Sequence, residues 1–258
     1  LTDALGIRGL FFVYAATCSM VLAISVLYKE SSRPSRTRNS NSSLFSFRRV
    51  FDIHPYFRAT YLILFFSTFA QMMRSQVTNT MVPLYAQDQL GYSPTTTGLL
   101  FTIIGVVTLA MIVPTGFISD KLGRKWPAAG AAAASTIGFI LMPTADGLVT
   151  LGIVMAVIGL AHGLAMGAMT IYTYDIVPHH ARGQLQAMRR GIGEFGALSA
   201  PPLAGVAAVL FSPGISFWFF APLHALSFVM ILFMAKESLS HKLARNAPTP
   251  DETAAHRG

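Results

Sequence analysis

Residues 95–145 read TTTGLLFTIIGVVTLAMIVPTGFISDKLGRKWPAAGAAAASTIGFILMPTA. Two apolar runs, 95–118 and 127–145, flank a short polar hairpin that carries Asp120, Lys121, Arg124 and Lys125. A helix that crosses the hydrocarbon core of a bilayer needs about 20 predominantly apolar residues. Both runs have that length, and neither alternates with the period of two that a barrel strand requires. An open sheet cannot exist in lipid, so the stretch reads as a pair of membrane helices joined by a tight polar turn.

Moving outward, the same pattern recurs. Seven apolar segments of spanning length lie at 9–28, 58–81, 95–118, 127–145, 148–174, 190–211 and 215–235. The fold class expected is therefore all-α, a polytopic helical bundle in a lipid bilayer. Only 12% of the 258 residues are charged and 53% are hydrophobic, against about 25% charged in a soluble domain. A net charge of +8 does not point to nucleic acid, because the basic residues cluster between apolar runs, as in loops that face anionic lipid. The single cysteine, Cys18, has no internal disulfide partner, and no Cys/His cluster with metal spacing is present. No phosphate loop, nucleophile elbow or metal motif appears, so neither enzyme chemistry nor a cofactor is expected.

The loops alternate in charge. Lys29, Arg33, Arg36, Arg38, Arg48, Arg49 and Arg58 fill the first connection; Asp88 is the only charge in the next. Lys121, Arg124 and Lys125 follow, then Asp146, then Arg182, Arg189 and Arg190, then an uncharged turn at 212–216, then Lys236, Lys242 and Arg245. The positive-inside rule places the basic loops in the cytoplasm, the N-terminus outside and the C-terminus inside a cell membrane. The expected domains are a first transmembrane helix (1–28), a cytoplasmic linker (29–57) rich in Ser and Arg, a six-helix bundle (58–236) and a polar tail (237–258). Gly159, Gly163 and Gly167 recur every four residues, as do Gly196, Ala200, Ala204 and Ala208. Such ladders let membrane helices approach closely.

The hairpin run Gly116-Phe-Ile-Ser-Asp120-Lys-Leu-Gly123-Arg124-Lys125 resembles the loop signature of the major facilitator superfamily. Gly123 permits the tight turn. Asp120 sits at a helix end, where it can pair with Arg124 or face a neighbouring helix N-terminus. Such a contact could latch two cytoplasmic helices as a gate; a plain charged hairpin that only sets topology is the simpler alternative. A second run, Asp175-Ile-Val-Pro178-His-His-Ala-Arg182-Gly183, is similar to another loop of that superfamily, with Asp175 and Arg182 as a second latch or as interface anchors. A third, Gly196-x-x-x-Ala200-Pro201-Pro202-x-Ala204-Gly205, resembles the Gly-Pro motif of its proton-coupled exporters. Pro201 and Pro202 predict a helix kink there.

The resemblance implies twelve spans in two halves. Segment 9–28 would be the sixth helix, the basic linker the central loop, and 58–235 helices seven to twelve. About five N-terminal helices of the same protein would then precede Leu1. In the family the seventh helix lines the central cavity. Gln71, Arg74, Gln76, Thr78 and Asn79 on the corresponding span are therefore candidate substrate contacts. Arg74 lies about 16 residues, roughly 24 Å, into that span. Its alternatives are an interhelical pair with a carboxylate or snorkelling to the interface. Glu194 is read as a latch partner of Arg189 or Arg190, or as a proton carrier. His162 and His224 are read either as proton relays or as packed residues bonded to backbone carbonyls.

The function this implies is a secondary transporter that moves a small solute by alternating access, with proton-coupled export of drugs or metabolites as the leading form. Uptake of a small anionic metabolite through Arg74 is the second, and a seven-helix receptor the reading from another class. The expected partners are the solute, protons, the lipid bilayer and the preceding helices, and no nucleic acid.

Overall fold

Backbone groups in lipid must be satisfied within the chain, and all regular structure described in this computed structural model is helical. The structure describes residues 2–27 and 53–238. The chain forms two units, Leu1–Ser43 and Leu44–Gly258. The first holds α1 (Thr2–Leu27). Most of the expected linker at 29–57 and of the expected tail lies outside the described residues.

The second unit begins with α2 (Pro55–Leu84), extended by a π turn at Tyr85–Gln89. The chain then runs back and forth through α3 (Pro94–Lys121), α4 (Lys125–Leu141), α5 (Leu148–Ala165), α6 (Ala168–Ile176), α7 (Arg182–Leu210) and α8 (Ser216–Val229). A last π turn at Met230–Met234 closes it. Local chemistry sets the ends. Proline occupies the first turn of both α2 and α3, where its missing N–H is no loss. The Ser93 hydroxyl accepts from the Thr96 amide at 3.2 Å, capping α3.

Among the described residues, five segments are long and apolar enough to cross a membrane: Pro94–Lys121, Lys125–Thr144, Leu148–Ile176, His179–Leu210 and Ser216–Met234. The sequence reading counted seven. The 30 residues of α2 are long enough, but its Gln71–Thr80 stretch is mostly polar. Its interior polar side chains make α2 less apolar than those five segments. In α1 the apolar stretch is Tyr14–Ser25.

Three boundaries differ from expectation. Segment 148–174 is broken between α5 and α6, where Gly167 takes φ +84°, so Gly167 ends a helix rather than continuing the packing ladder. The sixth segment, expected from 190, starts eight residues earlier at Arg182, so Arg182, Arg189 and Arg190 lie on α7 and not in a loop. Pro201 and Pro202 sit inside α7, which runs through both as one helix.

In this unit α2 lies along α7, α3 along α5, and α4 between α5 and α8. Small residues set the first two approaches. A Cβ added at Gly163 would sit 2.5 Å from Met111 Cβ and 3.0 Å from the Thr108 carbonyl on α3. One added at Gly196 would sit 2.6 Å from the Phe69 carbonyl on α2. Thr108 and Thr115 of α3 donate to the carbonyls of Gly159 and Gly163, at 3.1 and 3.3 Å. Two apolar clusters fill the unit, one at each end. Tyr85, Phe139, Met142 and Phe217 centre the first. Tyr61, Leu64, Tyr172 and Leu185 centre the second, at the end that carries the basic turns.

Gly163→Leu should therefore cost about 1–3 kcal/mol through overpacking. Gly116→Ala, whose new Cβ meets nothing within 4 Å, should leave stability unchanged or raise it by up to about 1 kcal/mol. Denaturant unfolding in detergent micelles measures both; equal stability of the two variants would remove the close-approach role of Gly163.

Candidate functional site

The polar turn between α3 and α4 is built around Arg124. Asp120 stands in the last turn of α3, and Gly123 takes φ +113°, a conformation that favours glycine. The chain thus reverses at once and swings the Arg124 side chain back over the end of α3. Its Nη1 donates to Asp120 Oδ1 at 2.6 Å and to Ser119 Oγ at 2.9 Å. Its Nε donates to Asp175 Oδ2 at 3.2 Å, in the last turn of α6. One guanidinium joins two helix ends that are far apart in sequence. Burial pulls the Arg124 guanidinium toward its neutral form, but the hydrogen bonds and charges of Asp120 and Asp175 outweigh this and hold its pKa above the ordinary value. The two carboxylates are not equivalent. The Asp120 side chain is 72% exposed and that of Asp175 only 8%.

A third carboxylate completes the cluster. The Arg124 and Lys125 amides at the start of α4 donate to Glu237 Oε1 and Oε2 at 2.9 and 3.1 Å. A carboxylate at a helix N-terminus satisfies orphan N–H groups and complements the helix dipole. Glu237 is held there by its neighbour: the Lys236 amide donates to Thr60 Oγ1 at 2.9 Å, and the Tyr172 hydroxyl donates to the Lys236 carbonyl. The expected polar tail thus starts at least two residues late, since Glu237 is bonded to the hairpin and Ser238 is buried. Tyr172 is fully buried there.

The structure does not join the other expected latch partners. Asp175 turns to Arg124, while the Arg182 guanidinium lies over the Tyr174 ring at 5.7 Å. Glu194 is exposed, and its expected partner Arg189 is buried elsewhere. Arg189 donates to Thr68 Oγ1 on α2 at 2.7 Å, to Thr170 Oγ1 on α6 at 3.3 Å and to Gln186 Oε1 at 3.0 Å. It ties three helices through neutral oxygens. Gly116 faces outward, and Gly205 has open space around it.

The substrate candidates on α2 separate onto two faces. Arg74 and Thr78 are buried inside the unit, and Arg74 Nη1 donates to Ser135 Oγ on α4 at 2.9 Å. Gln71 is half-buried and lines the same small cavity as Arg74. Asn79 is exposed and Gln76 half-exposed. Arg74 thus turns into the unit toward α4 rather than to an open surface. His224 is buried, edge-on to the Phe139 ring at a centroid distance of 5.0 Å, and His162 is half-buried. Sequence reasoning missed Glu237 and Ser135, and gave Arg189 a different partner. A carboxylate just past the last apolar segment was a usable signal for the first, because the basic hairpin lies at the same end of the bundle.

Exposure ranks the two aspartates. Asp175→Asn should lower stability by about 1.5–3 kcal/mol, the range for a partly desolvated charged hydrogen bond. Asp120→Asn should cost no more than about 1 kcal/mol, as for a surface pair. Thermal unfolding of the purified variants checks the order; a larger loss for Asp120→Asn would reverse it.

The family model of the Major Facilitator Superfamily matches residues 64–255. The chain is similar to the aspyridones efflux protein of Neocamarosporium betae, 35% identical over 113 residues that cover 43% of this chain and 20% of that protein. Its fold is similar to the crystal structure of the peptide transporter POT in complex with sulfate, with a TM-score of 0.60 and 20% identity over 77% of this chain and 42% of that one. It is also similar to the D-xylose-proton symporter, with a TM-score of 0.60 and 18% identity over 78% of this chain and 52% of that one. The chain therefore spans about half or less of the proteins it matches. With a family match across most of its length and five apolar helices able to cross a bilayer, this chain belongs to the Major Facilitator Superfamily of transporters and is a multi-pass membrane protein.

Proposed function

We propose that this chain supplies the second six-helix half, with the preceding helix, of a carrier that moves a small solute by alternating access. The leading form is proton-coupled export of a drug or metabolite across the cell membrane. The observation that carries the mechanism is the Arg124 cluster. Three carboxylates from separate segments converge on one guanidinium and one helix N-terminus at the basic end of the bundle. Contacts of this kind are made or lost as a unit when helices shift, because each charge is left without its partner if only one element moves. In the proposal the cluster closes in one access state and opens in the other. The positive-inside rule puts it on the cytoplasmic side.

Export is supported by likeness to an efflux protein. Arg74, on which the anionic-uptake alternative rests, lies inside the unit, which favours the export reading. Superfamily membership likewise removes the receptor reading. Solute contacts are assigned instead to the open face of α2, where Gln76 and Asn79 offer both donors and acceptors. These residues would face a partner half across a midplane cavity.

The test uses the complete protein in proteoliposomes with an imposed proton gradient and a panel of fluorescent drugs. Arg124→Ala should lower the initial export rate about tenfold, equivalent to about 1.4 kcal/mol of lost stabilisation of the closed state, with normal insertion. Asn79→Ala should raise the apparent KM for the solute with little change in maximal rate. Native rates in Arg124→Ala would remove the gate, and an unchanged KM would remove Asn79 from the solute site.

A further inference from the structure

Arg74 presents a problem that the gate and the solute face do not solve. Its side chain is 1% exposed, and a guanidinium keeps its charge even when buried. Nη1 donates to Ser135 Oγ, but Nε and Nη2 have no acceptor among the described residues. Ser135 brings no compensating charge; it is a neutral hydroxyl that donates onward to the Ala131 carbonyl at 2.6 Å. The ion pairs found among the described residues both belong to Arg124. An uncompensated buried cation costs several kcal/mol, more than a marginally stable fold readily tolerates.

The cavity beside Arg74 points to what compensates it. It is bordered by α2, α4 and α8 with the α5–α6 junction, and no carboxylate lines it. His224 lines it too, 2% exposed, with Nε2 also lacking a partner. The hydroxyls of Ser67 and Ser227, bonded to each other at 2.8 Å, and the Gln71 amide complete the polar lining. Arg74, His224, Gln71 and Ser67 each have an N–H or O–H to offer an anion, while the Ser227 hydrogen is spent on Ser67. Its alanine walls leave room for about one water-sized particle. A carboxylate-bearing metabolite is too large for that space, whereas a halide fits.

We propose that this cavity is a binding site for a chloride-sized inorganic anion, held by the Arg74 fork with His224 opposite, that neutralises the interior of the six-helix unit. The anion ties α2 to α4 and α8 by charge, in the region between the two apolar clusters. This goes beyond the transport reading and does not depend on it, since its readout is stability and not flux.

The experiment takes the full-length protein in detergent with sodium gluconate and replaces gluconate by chloride at constant ionic strength. The midpoint of thermal unfolding should rise and saturate with chloride, as binding to the folded state alone requires. Arg74→Gln should abolish the rise. If that variant does not fold, Arg74→Lys keeps the charge without the fork; it should retain the rise with about tenfold weaker half-saturation. Crystals of the native protein grown in bromide should give an anomalous peak within hydrogen-bonding distance of Arg74. Equal midpoints in chloride and gluconate, an undiminished rise in Arg74→Gln, an unshifted half-saturation in Arg74→Lys, or bromide peaks only at other positions would each overturn the assignment.

Discussion

Arg124 has five donor hydrogens in a rigid plane and no means of losing its charge. Placed at a sharp turn near the membrane surface, it must find acceptors or lie in water. Gly123 decides which, because its left-handed backbone folds the arginine back over the bundle. There the side chain meets Ser119, Asp120 and Asp175. The same turn exposes the first amides of α4, and Glu237 covers them. Glu237 fits closely against Gly123, where an added Cβ would lie 2.3 Å from the carboxylate, so a larger residue there would displace Glu237. One turn conformation therefore fixes the ends of α3, α4 and α6 and the exit of the last helix.

The helical class and the two halves of the hairpin could be read directly, because spanning length and the Asp120–Arg124 spacing are local properties of the chain. Long-range choices could not. Asp175 faces two basic residues in sequence terms, Arg182 nearby and Arg124 some fifty positions away, and only packing decides between them. The break at Gly167 was hidden because an unbroken apolar run continues across it and glycine serves equally in a ladder and at a helix end. The early start of α7 was hidden by its charges. A cluster of arginines reads as a loop unless an interior hydroxyl such as Thr68 is known to accept from one of them.

The same limit applies to α2. Helical spacing puts Gln71, Arg74 and Thr78 on one stripe, but it cannot say whether a stripe faces a neighbour helix or a cavity between halves. Membrane helices make this ambiguity acute. In a soluble protein a polar stripe faces water, so its direction follows from its chemistry. In a bilayer a polar stripe faces inward, and inward has several meanings. The Ser135 hydroxyl on α4, a small residue in an alanine-rich run, decides the question for Arg74 and gives no local sign of doing so.

Polar interactions in this unit thus divide by depth and by kind. Near the basic end, charges meet charges: the Arg124 cluster is paired, partly hydrated and joined across elements that end there. Such contacts can exchange water for a carboxylate at modest cost, which suits parts that move. Deeper, between the apolar clusters, Arg189 is satisfied by neutral oxygens, and Arg74 by only one of them. A buried cation with neutral neighbours resists movement, since displacing it strands its charge without the relief of solvent. In the proposed carrier, the helices α2–α8 would be held to one another by these interior cations, and movement would take place at the charged rim.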